Sequence, residues 1–104
     1  MAVKHAVTQY ATLAFGSVGA AYSTILALGG DAMEIHVSNQ LDTGKDIVVS
    51  LDGGTTNFAT ILAGETRVFN ANGSGRVWPK GTIQVKRGIG GAPAAGQVAV
   101  TVIR

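Results

Sequence analysis

Apolar and polar residues alternate with a period of two along much of the chain, and this pattern predicts β-strands. The clearest segments are "MEIHVSN" (33–39), "DIVVSL" (46–51), "GTIQVKR" (81–87) and "QVAVTVIR" (97–104). In the first segment Met33, Ile35 and Val37 share one face. In the second, Ser50 falls with Val48 on the face opposite the main apolar positions. Because side chains of a strand point alternately to its two faces, we predict antiparallel strands with one packed and one more exposed face.

Residues typical of turns separate the predicted strands. They form the segments "GGD" (29–31), "LDTGKD" (41–46), "DGGTTN" (52–57), "AGE" (63–65) and "NANGSG" (70–75). Strands at intervals of roughly 8–12 residues, separated by such turns, are typical of sandwiches and barrels. We therefore predict an all-β fold, an antiparallel β-sandwich or jelly roll of about eight short strands. The predicted strands centre near Val7, Leu13, Leu26, Ile35, Val49, Ile61, Val68 with Val77, Val85 and Val100.

The N-terminal third contains no Asp, Glu, Lys or Arg between His5 and Gly30. Glycine, serine and threonine interrupt this segment, so we interpret it as two strands around the turn "GSVG" (16–19) rather than as a membrane span or signal peptide. A short helix is the alternative at residues 20–28. Without a convincing export signal, the chain is expected to be made and used in a cytoplasm. Residues 1–20 are expected to be either an extended N-terminal arm or edge strands.

Composition limits the classes of fold and function. A chain of 104 residues is long enough for one domain, here 1–104, and too short for a second. It has no cysteine, which excludes disulfides and thiolate zinc sites. Charged residues make up 13% of the chain, against roughly 25% in ordinary soluble domains. Since so little charge is available to cover the surface, we expect other protein, including copies of the same chain, to cover part of it.

The sequence offers little catalytic or ligand-binding chemistry. His36 lies on the polar face of a predicted strand, and the carboxylates Asp42 and Asp46 flank a turn, where acidic residues are ordinary. The glycine-rich segment "GIGGAPAAG" (88–96) leads into a predicted strand and not into a helix that could bind a phosphate, and "DTGKD" (42–46) lacks the upstream glycine and the Ser/Thr of a Walker loop. Both are interpreted as hairpin connections. We predict no enzyme activity, cofactor, metal or small-molecule substrate.

The basic residues suggest an interface with protein. The formal net charge is +2, and five of the eight basic residues fall between Arg67 and Arg87. They are not interleaved with aromatic residues, so nucleic-acid binding is not predicted. Trp78, the sole tryptophan, is either an interface hot spot or a core residue at the end of a strand that Pro79 stops. The candidate interface residues are Arg67, Arg76, Trp78, Lys80, Lys86 and Arg87.

Residues 37–104 resemble small structural proteins of tailed bacteriophages. The resemblance depends on "VSNQLDTGKDIVVSLDG", "ILAGE", "FNANG", "GTIQVK" and "GAPAAGQVAV". It implies a virion component, first of all a capsid decoration (cement) protein of β-sandwich fold. Such a protein would bind the major capsid protein and copies of itself at the capsid surface, after synthesis in the host cytoplasm. No membrane partner is predicted.

Further expectations follow from that resemblance. The charge-free N-terminal segment would add a strand to a neighbour's sheet edge, and Lys80, Lys86 and Arg87 would face acidic patches of the shell. A tail, fibre or head–tail junction protein is an alternative within the same class, because sandwich domains serve all these places. A soluble carbohydrate-binding module with Trp78 as a stacking platform is the alternative from another class.

Overall fold

A computed structural model describes residues 7–28, 32–54, 57–70 and 81–103. The prediction of an all-β fold with about eight strands is confirmed. A single turn of 3-10 helix, Phe15–Ser17, follows the first strand, and the described residues contain no α-helix. The strands are β1 (Val7–Ala14), β2 (Ser23–Ala27), β3 (Glu34–Leu41), β4 (Ile47–Ser50), β5 (Ala59–Ile61), β6 (Thr66–Asn70), β7 (Thr82–Arg87) and β8 (Gly96–Ile103).

The strands form two four-stranded antiparallel sheets that pack face to face. Sheet A has the order β1-β8-β3-β6 and sheet B the order β2-β7-β4-β5. Strands pair from the two ends of the sequence inward: β1 with β8, β2 with β7, β3 with β6 and β4 with β5. Successive pairs of this nested series fall alternately in sheet A and sheet B. This nested order is that of a jelly roll, so the structure decides between the two predicted architectures.

The core lies between the sheets and follows the predicted alternation. Ile35 and Val37 of β3 are fully buried, as are alternate residues of the other central strands. Two positions depart from the prediction. Met33, placed with the apolar face, precedes β3 and is 43% exposed. Ser50, placed with the polar face, is fully buried. Burial of its hydroxyl is tolerated because it donates to the Asp52 carboxylate (2.7 Å) and accepts the N–H of Gly54 (2.8 Å).

The N-terminal third contains the two strands predicted around the "GSVG" turn. Val7 and Leu13, predicted as separate strand centres, belong to the single strand β1. Where a short helix was the alternative, residues 23–27 form β2. β1 is an edge strand of sheet A. Residues 1–6 lie outside the described part of the chain, so the extended arm stays a prediction.

The prediction that residues 42–46 and 88–96 form hairpin connections is wrong. The first segment leads from β3 in sheet A to β4 in sheet B, and the second from β7 in sheet B to β8 in sheet A. Each therefore crosses between the sheets. A period-two pattern identifies the buried face of a strand and says nothing of which strand pairs with it. Among consecutive strands only β4 and β5 pair with each other.

Four connections between the sheets meet at one end of the sandwich, which we call the loop end. They are residues 15–22, 42–46, 62–65 and 88–95. The antiparallel registers place them together, because Leu41 lies opposite Gly96 and Ala14 lies opposite Gln97. Across each sheet, the strand order places the connections 42–46 and 88–95 between the other two, and we call them the central connections.

Candidate protein-binding surface

The two central connections of the loop end pack backbone against backbone. A Cβ atom on Gly90 would lie 1.8 Å from the carbonyl oxygen of Gly44, so only glycine fits there. The N–H of Gly88 donates to the carbonyl of Asp46 (2.7 Å). A Cβ atom on Gly88 would also lie 3.0 Å from the Asp46 side chain. Gly88 and Gly90, in a segment interpreted as a hairpin, thus permit close contact between the two connections that cross from sheet to sheet.

Two side chains of the 42–46 connection hold the 88–95 connection in place. Oδ1 of Asp42 accepts the N–H groups of Ala94 (2.9 Å) and Ala95 (3.2 Å). Nζ of Lys45 donates to the carbonyl of Gly90 (2.9 Å). The N–H donated by Ala94 is the largest of the effects that lower the pKa of Asp42, and the charge of Lys45 adds to it. The connection is therefore held at Gly90 by Lys45 and at Ala94 and Ala95 by Asp42.

Ile89 lies between Gly88 and Gly90 in the 88–95 connection and is 99% exposed. Burying an isoleucine side chain contributes about 1.5–3 kcal/mol, and the fold gains none of it here. The backbone on either side of Ile89 is held, at Gly88 by Asp46 and at Gly90 by Lys45. An apolar side chain that is displayed on a fixed backbone can enter a partner's pocket at little further entropic cost. Ile89 is therefore the strongest candidate anchor on the described surface.

Other large apolar side chains are exposed in the outer connections of the loop end. Leu62, in the 62–65 connection, is 55% exposed, and Phe15, in the 15–22 connection, is also exposed. With Ile89 between them, they supply apolar area along the row of connections. The loop end thus holds three of the seven large apolar residues that are exposed in the described ranges, the other four being Tyr10, Met33, Phe58 and Val68. Exposed apolar area of this kind is a feature of protein-binding surfaces.

Asn39 braces the loop end from inside. Its side chain is fully buried, and Nδ2 donates to the carbonyls of Lys45 and Ile61, each at 2.9 Å. Its Oδ1 accepts the N–H of Leu41 (3.1 Å). Sequence reasoning missed this residue, although a signal was present. Asn39 is a polar residue at an apolar position of the alternation, two residues after Val37 and two before Leu41.

The three predicted basic residues that the structure describes, Arg67, Lys86 and Arg87, do not gather on one face. Arg67 lies on the edge strand β6 of sheet A and pairs with the carboxylate of Glu65 (3.2 Å). Lys86 lies in β7 of sheet B, and its Nζ is 4.6 Å from the centroid of the Tyr22 ring. Arg87 follows it in the strand, so the two side chains leave opposite faces of the sheet. Arg67 is therefore in a different sheet from Lys86 and Arg87, because β6 belongs to sheet A and β7 to sheet B.

The structure describes three of the six predicted interface residues. Arg76, Trp78 and Lys80 lie outside the described residues, so both interpretations of Trp78 stay predictions. Arg87 ends β7 at the loop end, where its backbone N–H donates to the carbonyl of Gly19 (2.9 Å). Of the candidates that the structure describes, Arg87 thus has a direct backbone link to the loop end.

The residues considered for catalysis are separated. His36 lies on the outer face of sheet A with its Nε2 2.9 Å from Oε1 of Glu34, whereas Asp46 immediately precedes β4 of sheet B. The described residues contain no group of three His, Asp or Glu side chains that could hold a metal ion. Nor does any helix in the described ranges have the length and apolar character needed to cross a membrane.

Part of the outer face of sheet B is covered by the chain itself. The hydroxyl of Tyr22 donates to Oδ1 of Asn57, and the N–H of Gly53 donates to the carbonyl of Thr82 (3.0 Å). Burial and the nearby charge of Asp52 raise the pKa of Tyr22. These bonds hold the described residues of the β4–β5 connection against the outer face of sheet B.

Comparison with known proteins identifies no relative: no protein-family model, curated protein or solved structure matches the chain. The chemistry of the loop end is that of a binding surface. Its hydrogen bonds hold the backbone in place, while Ile89 and Leu62 remain exposed. Such a surface suits a protein partner with a complementary apolar pocket.

Proposed function

We propose that the chain is a bacteriophage virion structural protein, a capsid decoration (cement) protein that binds the outer shell and stabilises contacts between major capsid subunits. The loop end supports this proposal most directly, because it displays Ile89 on a fixed backbone. The resemblance of residues 37–104 to phage structural proteins supports the class. The jelly-roll fold is compatible with it, although the same fold serves many functions.

The loop end would act as the shell-binding surface. Ile89 would enter an apolar pocket on the shell, and Leu62 and Phe15 would extend the contact on either side. Because Asp42 and Lys45 already hold the 88–95 connection, binding would not have to order it. A contact made by these three apolar side chains would be weak by itself. Repetition over a symmetric shell, with each copy bridging adjacent subunits, would make the assembly strong.

The basic residues would contribute at the rim of the contact. Arg87 is attached to the loop end, and Arg67 follows the 62–65 connection in sequence. Exposed charges at a rim mainly affect the rate of association and its dependence on salt. We therefore assign recognition of acidic shell residues to Arg87 first, because the ammonium group of Lys86 already lies over Tyr22 and the guanidinium of Arg67 already pairs with Glu65.

Co-sedimentation with shells tests the proposal. Shells assembled from the major capsid protein encoded with this chain, and free of accessory proteins, are mixed with increasing amounts of the purified protein. Saturable binding at a fixed ratio to shell subunits, together with a higher temperature of shell disassembly, is the expected result. Absence of binding would contradict the proposal. Detection of only a few copies per virion would favour the tail or head–tail junction, and glycan-dependent quenching of Trp78 fluorescence would favour the carbohydrate module.

A further inference from the structure

The described part of the sandwich has four edge strands, and two of them are protected against pairing with another strand. β5 is only three residues long. β6 carries the exposed Arg67, whose guanidinium is held by Glu65. Short strands and charged side chains are the usual means by which sheet edges avoid unwanted pairing. Neither β5 nor β6 therefore offers a good template for a further strand.

The third edge strand, β2, is blocked in a different way. Its register with β7 shifts between Thr24 and Leu26, which interrupts the regular ladder. The carbonyl of Ala27 already accepts a hydrogen bond from Nε2 of Gln9 (3.0 Å). An irregular edge with an occupied carbonyl is a poor partner for an incoming strand.

β1 has none of these protections along most of its length. It is eight residues long and contains neither a charged residue nor a proline. Its only irregularity lies at its beginning, and the register with β8 is regular from Gln9 to Ala14. In an edge strand, alternate residues direct their N–H and C=O groups away from the paired neighbour. β1 therefore presents a regular, uncharged edge.

We infer that two copies of this chain associate through β1, antiparallel, so that the two sheets A become one continuous sheet of eight strands. Two-fold pairing of identical strands brings any charged residue close to its own copy. Because β1 is uncharged, its self-pairing places no like charges opposite each other. This inference does not depend on shell binding.

The side chains of β1 suit such a pairing. Tyr10 is 61% exposed and Thr12 is also exposed, both on the outer face of sheet A, while Ala11 and Leu13 pack against the core. A two-fold axis normal to the sheet places Tyr10 opposite Thr12 when it passes through Ala11. It places Tyr10 opposite Ala14 when it passes through Thr12. Either register covers the exposed ring with a β-branched or small partner.

Charge variants at Thr12 test the inference by sedimentation equilibrium. The wild-type protein is expected to dimerise at high micromolar concentration. Thr12→Lys should weaken the dimer at least about tenfold, because the two lysines lie directly opposite each other when the axis passes through Thr12 and on the adjacent diagonal of the same face when it passes through Ala11. Mixing Thr12→Lys with Thr12→Glu should restore association. The matched control is Thr60→Lys, which changes an exposed threonine on the edge strand β5 and should leave the dimer intact.

Cross-linking provides a second readout that does not require a soluble charge variant. Because the chain lacks cysteine, oxidised Thr12→Cys should form a covalent dimer if the axis passes through Thr12. A mixture of Tyr10→Cys and Thr12→Cys should do so if the axis passes through Ala11. Thr60→Cys should stay monomeric. A wild-type protein that remains monomeric at high micromolar concentration, or a dimer that Thr12→Lys does not weaken, would overturn the inference. Cross-linking of Thr12→Cys to the shell protein alone would also overturn it.

Discussion

Asn39 joins the two sheets from within the core: its Nδ2 on β3 of sheet A donates to the carbonyl oxygen of Ile61 on β5 of sheet B, 2.9 Å away. The same amide donates to the carbonyl of Lys45 and accepts the N–H of Leu41. Apart from Ser50, Asn39 is the only buried polar residue in the described ranges. One side chain therefore satisfies three backbone groups where β3, β5 and the 42–46 connection meet.

Replacing Asn39 with leucine should destabilise the fold markedly. The Asn39→Leu side chain has a similar volume but would leave the carbonyls of Ile61 and Lys45 and the N–H of Leu41 without its hydrogen bonds. We expect the free energy of unfolding to fall by about 3 kcal/mol, measured by urea denaturation. The control is Gln40→Leu, an exposed neighbour, which should change it by less than about 0.5 kcal/mol. Equal effects of the two substitutions would contradict a bracing role for Asn39.

Stability should fall in acid partly because Asp42 loses its charge. The N–H groups of Ala94 and Ala95 lower the pKa of Asp42 below its ordinary value of 3.8. A lowered pKa means that the folded state favours the carboxylate. The contribution of Asp42 to the free energy of unfolding is therefore present above the ordinary pKa and lost as the pH falls through the folded-state pKa. The pKa of Glu65 is also lowered, first by the N–H of Leu62, so the same sign applies to it.

The melting temperature of Asp42→Asn should therefore depend less on acid pH than that of the wild type. The difference between the two proteins should narrow as the pH falls below the ordinary pKa of 3.8. Asp42→Asn should retain some pH dependence, because Glu65 still titrates. Parallel curves for the two proteins across the acid range would show that the hydrogen bonds from Ala94 and Ala95 do not depend on the charge of Asp42.

A methyl group at Gly90 should separate the two central connections. A Cβ atom there would overlap the carbonyl oxygen of Gly44, which is part of the backbone and cannot rotate away as a side chain could. We expect Gly90→Ala to lower the free energy of unfolding by about 1–3 kcal/mol. The matched control is Gly16→Ala, because a Cβ atom on Gly16 would meet nothing within 4 Å. Thermal unfolding of the two variants distinguishes them, and a Gly90→Ala protein as stable as Gly16→Ala would contradict the close contact.

The alternation along β3 and β8 was sufficient to predict strands and their buried faces. Ile35, Val37 and Val100 are buried as predicted, because a strand with one packed face must place apolar residues at every second position. Strand pairing could not be predicted in the same way. Val37 lies opposite Val100 although the two are far apart in sequence. A period of two carries no information about such a partner.

The candidate binding surface was harder to predict than the fold. Ile89 stood in a segment interpreted as a hairpin, and the neighbouring contact of Gly90 with Gly44 has no local sequence signature. Asn39 could have been found from its position between Val37 and Leu41. Among the basic residues that the structure describes, Arg67 lies in a different sheet from Lys86 and Arg87, so closeness in sequence did not indicate their placement.

The most direct test of shell binding through the loop end is a binding isotherm of Ile89→Lys on shells free of accessory proteins. Because Ile89 is 99% exposed, the substitution should leave the melting temperature unchanged. The matched control is Met33→Lys, a substitution at an exposed apolar residue at the opposite end of β3. We predict that Ile89→Lys binds at least about tenfold more weakly than the wild type, as expected for loss of a hot-spot residue, while Met33→Lys binds like the wild type. Wild-type affinity of Ile89→Lys would contradict binding through the loop end, and a wild-type protein that does not saturate the shells would contradict the proposed function itself.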